Sequence, residues 1–176
     1  MKSNLKNTVL ISFVFLGMFF GNAALSDSTK PLKEKSGFNM EIVEKGLYLA
    51  KIAGCNDCHT AGYTSSDGDV PVERWLTGDT FGWRGPWGTT YGTNLRLLVD
   101  DLTEDEWVEM SKTLVSRPTM PWFNLNAMTK EDLGAIYQFV RYLGPSGKPE
   151  PAYVPPDQEP NGPYALFPAP PKSFQK

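Results

Sequence analysis

The clearest chemistry in this chain sits in five consecutive residues, Cys55-Asn56-Asp57-Cys58-His59. They contain both cysteines and the single histidine of the 176-residue sequence. The C-x-x-C-H spacing is that of covalent haem attachment. Two thiols add across two vinyl groups of the ring, giving two thioether bonds. A short helical turn brings both sulfurs to one edge, and the next residue then offers its imidazole to the iron. Cys55 and Cys58 are therefore expected to hold one haem c, with His59 as the proximal axial ligand.

Three other readings use the same residues. A structural zinc site needs four ligands, usually Cys and His. Here the fourth would have to be a carboxylate or come from a partner. A thioredoxin-like redox pair expects a βαβ context, and this motif closes a helical pattern. A plain disulfide leaves His59 unexplained. A nucleophile–histidine catalytic site would need that same His59, and iron ligation removes it from acid–base duty. No Gly-rich phosphate loop follows a strand. The charge balance, 17 Lys and Arg against 20 Asp and Glu, gives no sign of nucleic-acid binding.

The motif must be held by neighbouring elements. Apolar residues from Met40 onward follow helical spacing and predict a first helix from Met40 to Gly54, running straight into Cys55. Thr103-Glu104-Asp105-Glu106 fits a capping box. It predicts a second helix with Trp107, Met110 and Leu114 on one face, ending before Pro118. Thr129 opens a third helix, with Leu133, Ile136, Tyr137, Val140 and Leu143 as its apolar face and Gly144-Pro145 as its stop. Residues 60–102 read as an irregular region. Its glycines break any long period, and Trp75, Trp83 and Trp87 argue that it is ordered. Wrapping a cofactor would account for so long a loop.

At this point the chain resembles the class I c-type cytochromes, and more closely the monohaem cytochrome modules of exported, quinoprotein-type dehydrogenases. The resemblance covers residues 40–144. It is carried by Gly46-Leu47-Tyr48-Leu49-Ala50 ahead of the haem motif, by Gly85-Pro86-Trp87-Gly88-Thr89-Thr90-Tyr91-Gly92, by Trp107, and by Met120-Pro121-Trp122 before Met128-Thr129. It implies an all-α, cytochrome c-like domain around one haem, its first and last helices crossing where Gly46 approaches Tyr137 or Val140. It also implies Met120 as the distal axial iron ligand. The sequence supports that assignment independently. Met40 begins the proximal helix, Met110 shares a face with Trp107 and Leu114, and Met128 precedes a helix cap. Met120 lies between Pro118 and Pro121, which favour extended backbone. Met128 is the next candidate. The first half of the loop 60–101 and the tail have no counterpart in the family.

The flanks read differently. Lys2 and Lys6 precede a nearly unbroken apolar run from Val9 to Phe20, and small residues follow. This is the layout of a secretory signal, expected over residues 1–26. A spanning helix needs about 20 apolar residues, so the membrane is met only through the cleaved signal. Residues 27–39 form a polar lead-in. Residues 145–176 hold ten prolines, and are expected to form an extended arm anchored on the domain by Tyr153, Tyr164 and Phe167.

The expected function is that of a periplasmic electron carrier rather than an enzyme in its own right. It would pass single electrons from a dehydrogenase to an oxidase or another cytochrome. The alternative is a haem protein with an open distal site, a peroxidase-like enzyme or gas sensor. That needs a polar distal group, for which Arg84 and Arg96 are the candidates because no second histidine exists.

Overall fold

A computed structural model describes residues 32–168. The expected signal, residues 1–26, the start of the lead-in and the last eight residues lie outside the described residues. The described residues form six α-helices and three short strands: α1 (Met40–Ile52), α2 (Cys55–His59), β1 (Gly82–Gly85), β2 (Gly88–Tyr91), α3 (Leu95–Asp100), α4 (Glu104–Thr113), α5 (Trp122–Ala127), α6 (Lys130–Leu143) and β3 (Tyr164–Leu166). The domain is small and mostly helical. It is not all-α, because the three strands form one sheet in the order β2-β1-β3.

Local chemistry sets the helix boundaries. The Asn39 side chain accepts from the Glu41 N–H and starts α1. Thr103 and Glu106 form the full reciprocal capping box at α4. Thr129 accepts from the Asp132 N–H at α6, and Gly144 ends that helix. α4 stops at Thr113, short of Pro118, because Leu114 has already turned to extended backbone.

α1 and α6 pack through Val43, Gly46 and Ala50 on one side and the apolar face of α6 on the other. Gly46 makes this possible. A Cβ there would collide with the Ala135 carbonyl and stand 2.7 Å from Phe139 Cβ. The neighbours are thus Ala135 and Phe139, one or two residues from the expected Tyr137 and Val140. Trp107 ties α4 to α6 by donating its indole N–H to Leu133 O at 2.9 Å. Trp75, Leu76, Val99 and Phe139 complete the buried core.

The region expected to be irregular contains both the β1–β2 hairpin and α3. The hairpin pairs Gly82 with Tyr91 and Gly85 with Gly88. α3 is started by Asn94, whose side chain accepts from the Arg96 and Leu97 N–H groups. Arg96 is buried and donates to the carbonyls of Glu73, Leu143 and Gly144. A cation at those last carbonyls of α6 satisfies groups that the helix itself leaves unpaired.

After Gly144 the chain returns across the hairpin. Asn94 Nδ2 donates to Ser146 O and Lys148 O. Thr89 and Val154 exchange both backbone hydrogen bonds, on the side of β2 away from β1. Tyr164–Leu166 then pairs in parallel with β1 on its other side. Tyr153 donates its hydroxyl to Trp87 O, Tyr164 donates to Glu159, and the Phe167 ring packs between Trp83 and Trp87. Arg84 lies under this segment, donating to Pro156 O and Gln158 O and pairing with Glu159 at 2.9 Å.

Candidate haem site

The site begins where α1 ends. Gly54 turns the chain through a left-handed conformation, and α2 starts at once with Cys55. Asn56 and Thr60 are fully or almost fully buried. Thr60 donates its hydroxyl to Asn56 Oδ1 at 2.7 Å and accepts from the Leu76 N–H at 2.8 Å. The inward side of the motif helix is thereby fixed to the loop that follows. Cys55, Cys58 and His59 face the other way, into one cavity of about 220 Å³.

The loop before α3 closes on this motif. The Gly92 Cα sits against the Cys58 carbonyl so tightly that a Cβ there would overlap it. Gly78 N–H donates to His59 O at 2.8 Å, and Asp79 N–H donates to Gly92 O at 3.1 Å. This approach brings Thr93 O to 2.7 Å from His59 Nδ1. A carbonyl can only accept, so Nδ1 carries the proton. The lone pair is then on Nε2, which has no hydrogen-bond partner among the described residues. Burial lowers the His59 pKa, partly offset by the Thr93 bond. The ring is a neutral, oriented imidazole with its free nitrogen available, the form in which histidine binds metals.

Burial pushes the Cys55 thiol up to about 11 and raises Cys58 as well. Reactive redox thiols have the opposite character, a lowered pKa in an electropositive setting. Cys55 and Cys58, kept as neutral thiols beside an apolar cavity, lack that character.

The cavity walls are mainly apolar. Ala53, Leu95, Leu98, Trp107, Leu125 and Ile136 contribute, together with Trp83. Three methionines line it: Met110, Met120 and Met128. Met120 is there as expected from sequence, and Met110 and Met128 share the lining although each was expected to pack elsewhere. The Met120 segment lies over the motif. Thr119 lines the cavity with Cys58 and partly offsets the effect of burial on that thiol, and Thr90 Oγ1 donates to Pro118 O at 2.8 Å. Met128 ends α5, its carbonyl held by Lys112.

Neither candidate polar distal group reaches the cavity. Arg84 is engaged with residues 156–159, and Arg96 with the end of α6. The arginine that lines the cavity is Arg117, which sequence reasoning did not single out. Its guanidinium stacks 4.1 Å from the Tyr153 ring centre. Nothing in the spacing of Arg117 distinguishes it from a solvated surface charge. No group of three or more His, Cys, Asp or Glu side chains able to hold a metal ion exists among the described residues, which leaves the zinc reading without a ligand set. No helix among them is long and apolar enough to cross a membrane.

The chain is distantly similar to the cytochrome c subunit of quinone-dependent alcohol dehydrogenase. The relatives from Gluconacetobacter polyoxogenes and Komagataeibacter europaeus are each 28% identical over 121 residues, covering 62% of this chain. The chain spans about a quarter of the length of these relatives, 24% in each case. No family profile matches it, and no solved structure does.

Proposed function

We propose that this protein is a monohaem c-type cytochrome of the periplasm, exported by a cleaved signal over residues 1–26, that carries single electrons between a dehydrogenase and a respiratory acceptor. The observation that carries the reading is the cavity beside α2. Its lining holds two thiols at haem-attachment spacing and a neutral imidazole with Nε2 free. Bound there, haem supplies a one-electron couple at iron and needs no proton or group transfer from the protein.

Each residue then has a definite task. Cys55 and Cys58 tether the ring edge. His59 is the proximal ligand, held in one orientation by Thr93 O, and that bond also raises the basicity of Nε2. Met120 is the distal ligand, supplying a thioether, and a His/Met pair raises the reduction potential of the iron. The apolar walls keep water away and cut the reorganisation that accompanies a change of charge. Arg84 and Arg96, the polar groups expected for an open distal site of peroxidase or sensor type, are committed elsewhere, and Arg117, which does line the cavity, is stacked on Tyr153.

The deciding experiment is on the mature protein. Denatured in alkaline pyridine, it should give the spectrum of a haem with both vinyl groups saturated, and a denaturing gel should stain for haem at its mass. Cys55→Ala combined with Cys58→Ala should abolish the stain. A double variant that still stains would refute the attachment.

A further inference from the structure

The segment that bears Met120 is exposed from Val115 to Pro118, yet it lies over the cavity. It is pinned there from outside α4. Pro118 O accepts from Thr90 Oγ1 on β2. One residue earlier, Arg117 stacks on Tyr153 at 4.1 Å from the ring centre. Tyr153 is itself anchored twice to the hairpin. Its hydroxyl donates to Trp87 O at 2.9 Å, and its neighbour Val154 pairs with Thr89. Gly88 makes room for the ring. At φ +94° it adopts a conformation that suits glycine, and a Cβ there would stand 2.7 Å from Tyr153 Cε2 and from its hydroxyl oxygen.

We infer that Tyr153 is a positioning residue for the Met120 segment: the proline-rich chain beyond Gly144 holds Arg117, and through it Met120, in register over the cavity. Tyr153 does not line the cavity. Its influence on the iron runs through Arg117 and the two residues between Arg117 and Met120. The flanking prolines at 151, 155 and 156 restrict the segment before it docks, which lowers the entropy lost in placing the ring. A guanidinium over a tyrosine face is the pairing that arginine favours. The role at the iron rests on the reading of Met120 as distal ligand; the ordering of residues 114–121 does not.

Two measurements on the haem-loaded full-length protein separate these claims. The first is amide hydrogen exchange over residues 114–121, read by mass spectrometry. Tyr153→Leu should speed it by about two- to fivefold, the range expected when an exposed cation–π contact is lost. The second is the rate at which carbon monoxide binds the reduced protein, which requires the sixth ligand to leave. It should rise in Tyr153→Leu by a similar factor. Tyr153→Phe, which keeps the ring, should show the smaller part of each change. Arg117→Gln, at an exposed position, should match Tyr153→Leu, and the two together should add nothing further.

Unchanged exchange in both single variants overturns the inference, as does strict additivity of the pair. Faster exchange with unchanged carbon monoxide binding overturns the positioning role, provided that Met120→Ala abolishes the sulfur-to-iron absorption band. If Met120→Ala leaves that band in place, the ligand assignment has failed instead, and faster exchange in Tyr153→Leu still upholds the latch on the segment.

Discussion

His59 donates its Nδ1–H to the backbone oxygen of Thr93 across 2.7 Å, and Gly92 is what allows it. No side-chain substitution at Thr93 can remove that carbonyl. Gly92→Ala can, because the new methyl would overlap the Cys58 carbonyl and push the loop off α2. Overpacking of this kind costs about 1–3 kcal/mol. The expected outcome is a lower denaturation midpoint and a shifted reduction potential, with haem still attached. A potential equal to that of the unmodified protein would show that the Thr93 bond does not tune His59.

Met120→Ala should leave haem covalently bound while opening the iron. The reduction potential should fall, and carbon monoxide should bind the reduced protein rapidly. Met110 and Met128 line the same cavity, so Met110→Ala and Met128→Ala are the natural comparisons. Both should keep the sulfur-to-iron band near its original position. If Met128→Ala loses it and Met120→Ala does not, Met128 is the ligand.

Gly46→Ala should destabilise the fold without touching the cavity. The added methyl meets the Ala135 carbonyl and Phe139 Cβ, and both sit on a rigid helix face. A loss of about 1–3 kcal/mol is expected from such overpacking, readable as a lower denaturant midpoint. The absorption spectrum of the haem should not change.

Acid should weaken the helix starts. Glu106 is held below its ordinary value of 4.5 by the Thr103 N–H and hydroxyl, and Asp132 below 3.8 by Lys45 and Thr129. A carboxylate whose pKa is lower when folded stabilises the fold above its unfolded pKa. That contribution is lost as pH falls through the folded value. The denaturant midpoint should therefore be level above about pH 5 and fall below it. In Glu106→Gln combined with Asp132→Asn the fall should be shallower. An equally steep fall would place the acid sensitivity elsewhere.

Truncation after Gly144 tests the remainder of the chain. It removes the acceptors of Asn94 and Arg84, the ring under Arg117 and the strand beside β1. A lower melting temperature and faster carbon monoxide binding are expected. A truncated protein that melts like the whole would mean that these contacts contribute nothing measurable.

The helices nearest the motif were legible because their signals are local. Thr103 with Glu106, and Thr129 with Asp132, announce two helix starts by side chains within one turn. The need for a small residue at 46 was also readable, while its partners on α6 lie one or two residues from those expected. The hairpin was missed because Gly82–Gly85 and Gly88–Tyr91 are four residues each and rich in glycine, with too little alternation to show a period of two. α3 was missed because Arg96 interrupts its apolar run. Its burial is explained only by distant carbonyls, that of Glu73 and those at the end of α6 nearly fifty residues later. The motif itself needed no tertiary information. The role of Arg117 needed all of it, since its partner Tyr153 comes from the far end of the chain.

The path of the chain after Gly144 has one more consequence. Val154 occupies the free edge of β2, and Tyr164–Leu166 occupies the free edge of β1. One stretch of polypeptide thus fences the hairpin on both sides. A bare two-stranded ribbon would offer two rows of open N–H and C=O groups to any neighbouring molecule. Here the outermost strand is three residues long and bounded by Pro163 and Pro168, which cannot donate to another ladder. The fence leaves few open N–H and C=O groups on the hairpin for a second copy of this protein to pair with.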